Sequence, residues 1–189
     1  MDAIVEAALK KWPNVPHCYG WLALDARGDW YMRDDRTQAA GPFPRVKGSR
    51  IEHEKLREFI GRNYAADEDG RWFFQNGPQR VYVELEAAPF VWRLDAGNAP
   101  VPGQPALTSH TGTPARFRAA LVDESGRLFV DTDVGFGIVH TLDMEAAAAA
   151  VESRAWRVEE LAFAALPARF GYRLSNVEAG PASPRLPST

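Results

Sequence analysis

The sequence predicts an α+β protein built mainly from antiparallel β-hairpins and meanders, with about three short helices. The first observation is a recurring turn: Asp25-Ala26-Arg27-Gly28, Asp67-Glu68-Asp69-Gly70 and Asp123-Glu124-Ser125-Gly126. Aspartate at the first turn position accepts hydrogen bonds from backbone amides ahead of it, and glycine at the fourth tolerates positive φ. The second is that apolar and aromatic runs flank each copy on both sides. The third is that helical patterning is clear over only three short stretches, 2–12, 50–62 and 143–152.

Taken in order, Asp2 caps a helix in which Ile4, Ala8 and Trp12 form the expected buried stripe and Pro13 is the stop. Pro13 and Pro16 lead into 18–24, whose nearly unbroken apolar run predicts a strand covered on both faces. After the first turn the chain returns through 29–33. A Gly/Pro-rich loop, 38–48, ends at Ser49 and Glu52, which spell a capping box for a helix buried along Leu56, Phe59, Ile60 and Tyr64.

Arms 63–66 and 71–75 flank the second turn, and Asn76-Gly77 turns the chain into 80–86, with Val81, Val83 and Leu85 on one face. A turn at Ala87-Ala88-Pro89 then predicts a meander continuing through 90–94. Residues 96–114 hold four prolines and three glycines and read as a connector or long functional loop. Strands 119–123 and 127–132 flank the third turn, with either face available to the core. The alanine-dense 144–151 is helical, capped by Asp143 or Thr141. Between 156 and 174 helix and strand both remain open, with Pro167 as a break and 169–174 as a strand.

This organisation divides the chain into an N-terminal lobe with two helices (1–97), a Pro/Gly-rich connector (98–114), a C-terminal hairpin and helix lobe (115–175) and a disordered tail (176–189); one continuous domain is the alternative. DEDGRWFFQNGPQRVYVELEAAPFVWRLD and DESGRLFVDTDVGFGIVHTLD share strand, turn, strand and a final Leu-Asp, the pattern of a duplicated hairpin unit.

Hydrophobic residues make up 46% of the 189, but 29 are alanine and 21 are aromatic, so the core is expected to be aromatic-rich. The net charge of −3 is spread evenly, 14 basic against 15 acidic residues in 1–97 and 8 against 10 in 98–189. Neither half carries a field that steers nucleic acid or an anionic membrane. With one cysteine, no signal pattern near the start and no apolar run of membrane-spanning length, the expected location is the cytoplasm.

The blocks KWPNVPHCYGWLALDARGDWYMRDD (11–35) and FIGRNYAADEDGRWFFQNGPQRVYVELE (59–86) resemble an uncharacterised proteobacterial family, a domain of unknown function. In the second half the likeness rests on His110-Thr111-Gly112, the Asp123–Gly126 turn and Arg169-Phe170-Gly171. The resemblance implies a bacterial cytoplasmic protein and carries no mechanism or cofactor with it.

Reactive constellations are sparse. His17 and Cys18 are adjacent, but strand neighbours point to opposite faces, so a base for Cys18 has to come from His53, His110 or His140. Those four histidines show no metal-ligand spacing. Asp131-Thr132-Asp133-Val134-Gly135 imitates a calcium loop but places glycine one position early, and Gly135-Phe136-Gly137 lacks the context of a phosphate loop. Asp34-Asp35 and the pair Glu84 and Glu86 offer carboxylates without a cleft signal, and the latter pair also reads as a solvated strand face. The binding candidates are Trp72, Phe74, Asn76, Gln79, Arg80 and Tyr82 on one turn and its strands, with His110 on the long loop. The function expected is a non-enzymatic binding or interaction module, for a protein or small ligand, with no cofactor. The alternative is a hydrolase-like enzyme using Cys18 or a histidine-centred metal site; a third reading is a homo-oligomer paired through a sheet edge.

Overall fold

The computed structural model describes residues 1–176. Helix α1 (Ala3–Lys11) precedes a six-stranded sheet of β1 (Cys18–Leu24), β2 (Trp30–Met32), β3 (Ser49–Arg50), β4 (Tyr64–Ala66), β5 (Trp72–Asn76) and β6 (Gln79–Leu85). Helices α2 (Asp35–Ala40) and α3 (Glu54–Arg62) interrupt it. The strand order is β3-β2-β1-β6-β5-β4, so two antiparallel meanders meet where β1 runs parallel to β6.

A second sheet follows: β7 (Phe90–Asp95), β8 (Ala106–Ser109), β9 (Pro114–Ala115), β10 (Phe117–Val122), β11 (Leu128–Thr132) and β12 (Phe136–Val139). The chain ends in α4 (Met144–Glu152), β13 (Val158–Glu160) and α5 (Leu166–Phe170). The order β13-β10-β11-β12-β7-β8-β9 repeats the connectivity of the first sheet, with β7 parallel to β12 and β13 added beside β10. Of the repeat seen in the sequence, β5–β6 and β11–β12 hold equivalent places in the two sheets, but the shared Leu-Asp does not: Leu94-Asp95 ends β7, whereas Leu142-Asp143 lies in a 3₁₀ turn after β12.

All three Asp-x-x-Gly turns are hairpin tips. The Gly28, Gly70 and Gly126 amides donate to the Asp25, Asp67 and Asp123 carbonyls at 3.1, 3.1 and 2.9 Å, with φ of 83, 74 and 76°. Each aspartate Oδ1 accepts the amides two and four residues ahead, as in Asp123 with Ser125 and Arg127, both at 2.9 Å. Arg71 and Arg127 reach back to the Asp67 and Asp123 carboxylates at 2.8 and 2.7 Å. Burial pushes these carboxyls up, but hydrogen bonds from Arg71 and Tyr82 to Asp67, and from Arg127 and Ser125 to Asp123, outweigh it and hold both below the usual carboxylate range.

The two sheets share one core in which Leu24, Trp30, Phe74 and Val83 pack with Val91, Phe129, Phe136 and Ile138. The far face of the second sheet buries Trp92, Leu107, Leu128 and Val130 under α4 and Trp156. Along β11, Leu128 and Val130 face one cluster and Phe129 the other, so both faces of that hairpin are inward. Leu22, Ala23 and Leu24 are buried, but Tyr19 and Trp21 are exposed, so the strand expected to be covered on both faces is covered so only over its second half.

Several expectations are corrected. Residues 87–89 do not fold the chain back onto β6: that strand already pairs with β1 and β5, so β7 crosses over and opens the second sheet. The 98–114 segment contains β8 and part of β9. Ser49 belongs to β3, and α3 is capped by His53, whose Nδ1 accepts the Leu56 amide at 3.3 Å. Asp143 precedes α4 without a capping hydrogen bond; its carboxylate binds Arg93 at 2.6 Å and the Leu94 amide at 3.1 Å.

Helix α1 docks through Val5, leaving Ile4 and Trp12 exposed, and Asp2 makes no side-chain cap; its amide is held by Asn63 Oδ1 at 2.8 Å. Residues 166–170 are helical, not extended, with Pro167 in the first turn, where a missing amide is harmless. The helices number five among the described residues, α2 and α5 being the unexpected ones. The expected tail beyond 176 lies outside the described residues. Asn176 itself is anchored, its amide donating to Glu84 Oε1 at 2.9 Å and its Nδ2 to the Val83 carbonyl at 2.9 Å.

Candidate functional site

Strand alternation separates the residues of β5 and β6 that the sequence singles out. Trp72 packs against Tyr64 and Phe90, ring centres 4.6 and 5.0 Å away, between the two sheets. Phe74 is buried against Phe59 at 5.5 Å. On the opposite face Tyr82 stacks on Tyr19 at 4.8 Å and donates its hydroxyl to Asp67 at 3.0 Å. The Arg80 guanidinium lies over the Phe73 ring at 4.5 Å. Asn76 is exposed, and Gln79 donates to the Pro16 carbonyl at 3.0 Å. Phe74, Asn76 and Gln79 share a shallow, largely apolar groove of about 260 Å³ with Cys18, Met32 and Leu56. His110 is not part of it.

His110 lies in a second cleft, of about 390 Å³, where three elements meet: the β1–β2 hairpin at Gly28 and Trp30, one face of α3, and the β8–β9 turn at His110, Thr111 and Gly112. Glu54, Arg57, Glu58 and Gly61 supply the α3 face, and their i, i+3, i+4, i+7 spacing puts them on one helical stripe. Gly61 allows α3 to approach the turn, since a Cβ there would stand 3.2 Å from Thr111 Cβ. A Cβ on Gly28 would stand 2.9 Å from His110 Cβ, so the hairpin tip rests against the histidine.

The His110 imidazole accepts the Val91 amide on Nδ1 at 3.2 Å, which places its proton on Nε2. Nε2 is buried without a hydrogen-bond partner among rings of Trp30, Tyr64 and Phe90, whose centres lie 5.5, 6.0 and 6.1 Å away. Burial drives the His110 pKa down to about 3, so the ring is neutral near neutral pH. Arg57 Nε is also buried without a partner, and among the described residues Arg57 forms no ion pair. Glu58 lies 4.0 Å from Arg62. Ser109 and Thr111 hydroxyls, 2.7 Å apart, brace the β8–β9 turn.

The other polar candidates have structural partners. His140 Nδ1 accepts the Leu142 amide at 3.0 Å, and His17 meets the edge of Tyr82. Asp34 caps α2 through the Thr37 amide at 2.8 Å. Glu84 is buried, contrary to a solvated face, and holds Asn176; Glu86 accepts the Ala26 amide and Lys47. Asp133 accepts the Arg116 amide at 2.7 Å in an ordinary turn. Among the described residues no His, Cys, Asp and Glu group could hold a metal ion, and no helix is long and apolar enough to cross a membrane. Sequence reasoning found His110 but missed Arg57, Glu54 and Glu58. Their stripe was legible as spacing, yet nothing in the sequence shows that it faces a neighbouring turn.

These features define an α+β protein with two mixed sheets of repeated connectivity and a polar cleft at the seam between them. The chain belongs to the family described as "Protein of unknown function (DUF2946)", whose match covers residues 1–177. Among solved structures it is similar to a DUF1285 family protein from Silicibacter pomeroyi DSS-3, with 15% identity, 78% of this chain and 83% of that one covered, and a TM-score of 0.47. It is also similar to a DUF1285 family protein from Shewanella baltica OS155, with 13% identity, 69% and 91% covered, and a TM-score of 0.46. No curated protein matches the chain.

Proposed function

We propose that the protein is a non-enzymatic binding module that takes a small polar ligand in the cleft between α3, the β1–β2 hairpin and the β8–β9 turn. The observation that carries this reading is Arg57, a cation whose covered Nε has no acceptor on a face of that cleft. Arg57 is only half-buried as a residue, and no carboxylate holds its guanidinium among the described residues, so its outer N–H donors are left for a ligand acceptor in the cleft. The surroundings support binding over turnover: the neighbouring histidine is held neutral and anchored to the backbone, a poor state for a proton shuttle.

The test is a set of amide NMR spectra of the ¹⁵N-labelled protein against mixtures of small metabolites, read at Gly28, Gly61 and Gly112. Shifts confined to those glycines are expected from at least one mixture and are lost in Arg57→Gln. A panel that leaves all three unmoved, or shifts that persist in the variant, overturns the reading.

A further inference from the structure

We infer that the cleft is built for a small zwitterion bearing a carboxylate and a protonated amine, an α-amino acid; this rests on the reading of the cleft as a binding site. The charges on the α3 stripe carry the inference. Arg57 stands between Glu54 and Glu58, three residues after one and next to the other, and all three line the cleft. A simple anion drawn to Arg57 meets two carboxylates within a turn of helix, and a simple cation drawn to the glutamates meets the guanidinium. A neutral ligand gains from neither. A molecule whose opposite charges are a few bonds apart satisfies both: its carboxylate accepts from the planar guanidinium, and its ammonium lies by the glutamates.

The remaining walls agree with this class. His110 contributes no charge, because its Nδ1 is committed to Val91 and its ring is neutral, so the cleft's balance is set by α3 alone. Arg62, which Asp2 also holds at 3.4 Å, stands 4.0 Å from Glu58 and offsets part of its charge. Trp30 and His110, whose rings are tilted 48° to each other, add aromatic lining, and a Cβ at Gly112 would meet nothing within 4 Å, leaving the mouth open. The volume of about 390 Å³ lies at the small end of ligand pockets.

The experiment titrates the full chain with free α-amino acids, their N-acetyl derivatives and their carboxamides, following the Gly61 and Gly112 amides and the heat of binding. At least one free amino acid is expected to bind, with both blocked forms at least about tenfold weaker, a difference typical of losing one charged partner. Arg57→Gln is expected to erase the preference over the carboxamide, and the double substitution Glu54→Gln with Glu58→Gln the preference over the N-acetyl form. Equal binding of free and blocked forms overturns the zwitterion while leaving the binding site in place. So does a metabolite of another class that shifts the same amides when no amino acid does. If no compound of any class moves them, the site itself falls.

Discussion

His110 and Val91 exchange two hydrogen bonds: the His110 amide donates to the Val91 carbonyl at 2.8 Å, and the Val91 amide donates to His110 Nδ1 at 3.2 Å. The side-chain bond requires a bare nitrogen. Protonating the ring turns that acceptor into a donor facing another donor, inside a ring of aromatic groups.

Stability is therefore expected to fall in mild acid. The folded-state pKa of His110, about 3, lies below the ordinary 6.5. Between those values the unfolded chain binds a proton that the folded chain does not, so folding weakens as pH drops, by up to about 1.4 kcal/mol per pH unit. Urea unfolding at stepped pH reads this slope, and His110→Phe should reduce it above about pH 5, where carboxylates scarcely titrate, leaving the contribution of His140, whose pKa burial also lowers. A wild-type protein equally stable at about pH 7 and pH 5 contradicts the assignment.

The turn aspartates act at lower pH. Burial raises the carboxyl pKa of Asp123, but bonds from the Arg127 amide and side chain and the Ser125 amide more than offset this, so stability is present above the unfolded value near 4 and lost as pH falls through the lower folded one. Asp123→Ala is expected to cost about 2–3 kcal/mol, since it removes a charged acceptor of several bonds. Chemical denaturation of that variant at neutral pH checks the figure; a cost below about 0.5 kcal/mol would mean that the turn holds without its aspartate.

Gly70 and Gly126 share nearly the same backbone, with φ of 74 and 76°, but differ in surroundings. A Cβ on Gly126 meets nothing within 4 Å, whereas one on Gly70 runs into the Gly171 carbonyl. Gly126→Ala should therefore cost only the backbone strain of about 1–2 kcal/mol, and Gly70→Ala distinctly more. Equal melting-temperature losses for the two variants would refute the close packing of the β4–β5 tip against Gly171.

Two buried indoles offer a matched pair. Trp92 Nε1 donates to the Val130 carbonyl at 3.1 Å, while Trp156 Nε1 is buried without a partner and its ring stacks on Phe117 at 4.8 Å. Both Phe substitutions shrink the core, but only Trp92→Phe also breaks a hydrogen bond. It is expected to be the costlier by about 1 kcal/mol, measured by urea unfolding of the two variants side by side. The reverse ranking would count against the Trp92 bond as a source of stability.

The legible parts of the fold were those whose chemistry closes within a few residues. An aspartate that accepts amides two and four positions ahead needs nothing beyond its own turn, and the three hairpin tips followed from that. The stop at Pro13 and the Asn76-Gly77 turn are local in the same sense. A local signal also misled: Ser49 and Glu52 spell a capping box, but strand pairing of Ser49 with Met32 left the cap to His53, which the sequence did not mark.

Residue order and turn chemistry by themselves determined an α+β chain of short hairpins with helices near its start, middle and end. Only the tertiary structure decided that β1 lies parallel to β6, that β7 leaves for a second sheet, and that Arg57 and His110 share a cleft. The reason is physical: hairpin partners are chosen by a few adjacent residues, whereas parallel pairings and a cleft formed from residues 28, 57 and 110 depend on which edges and faces remain free once every other strand has packed.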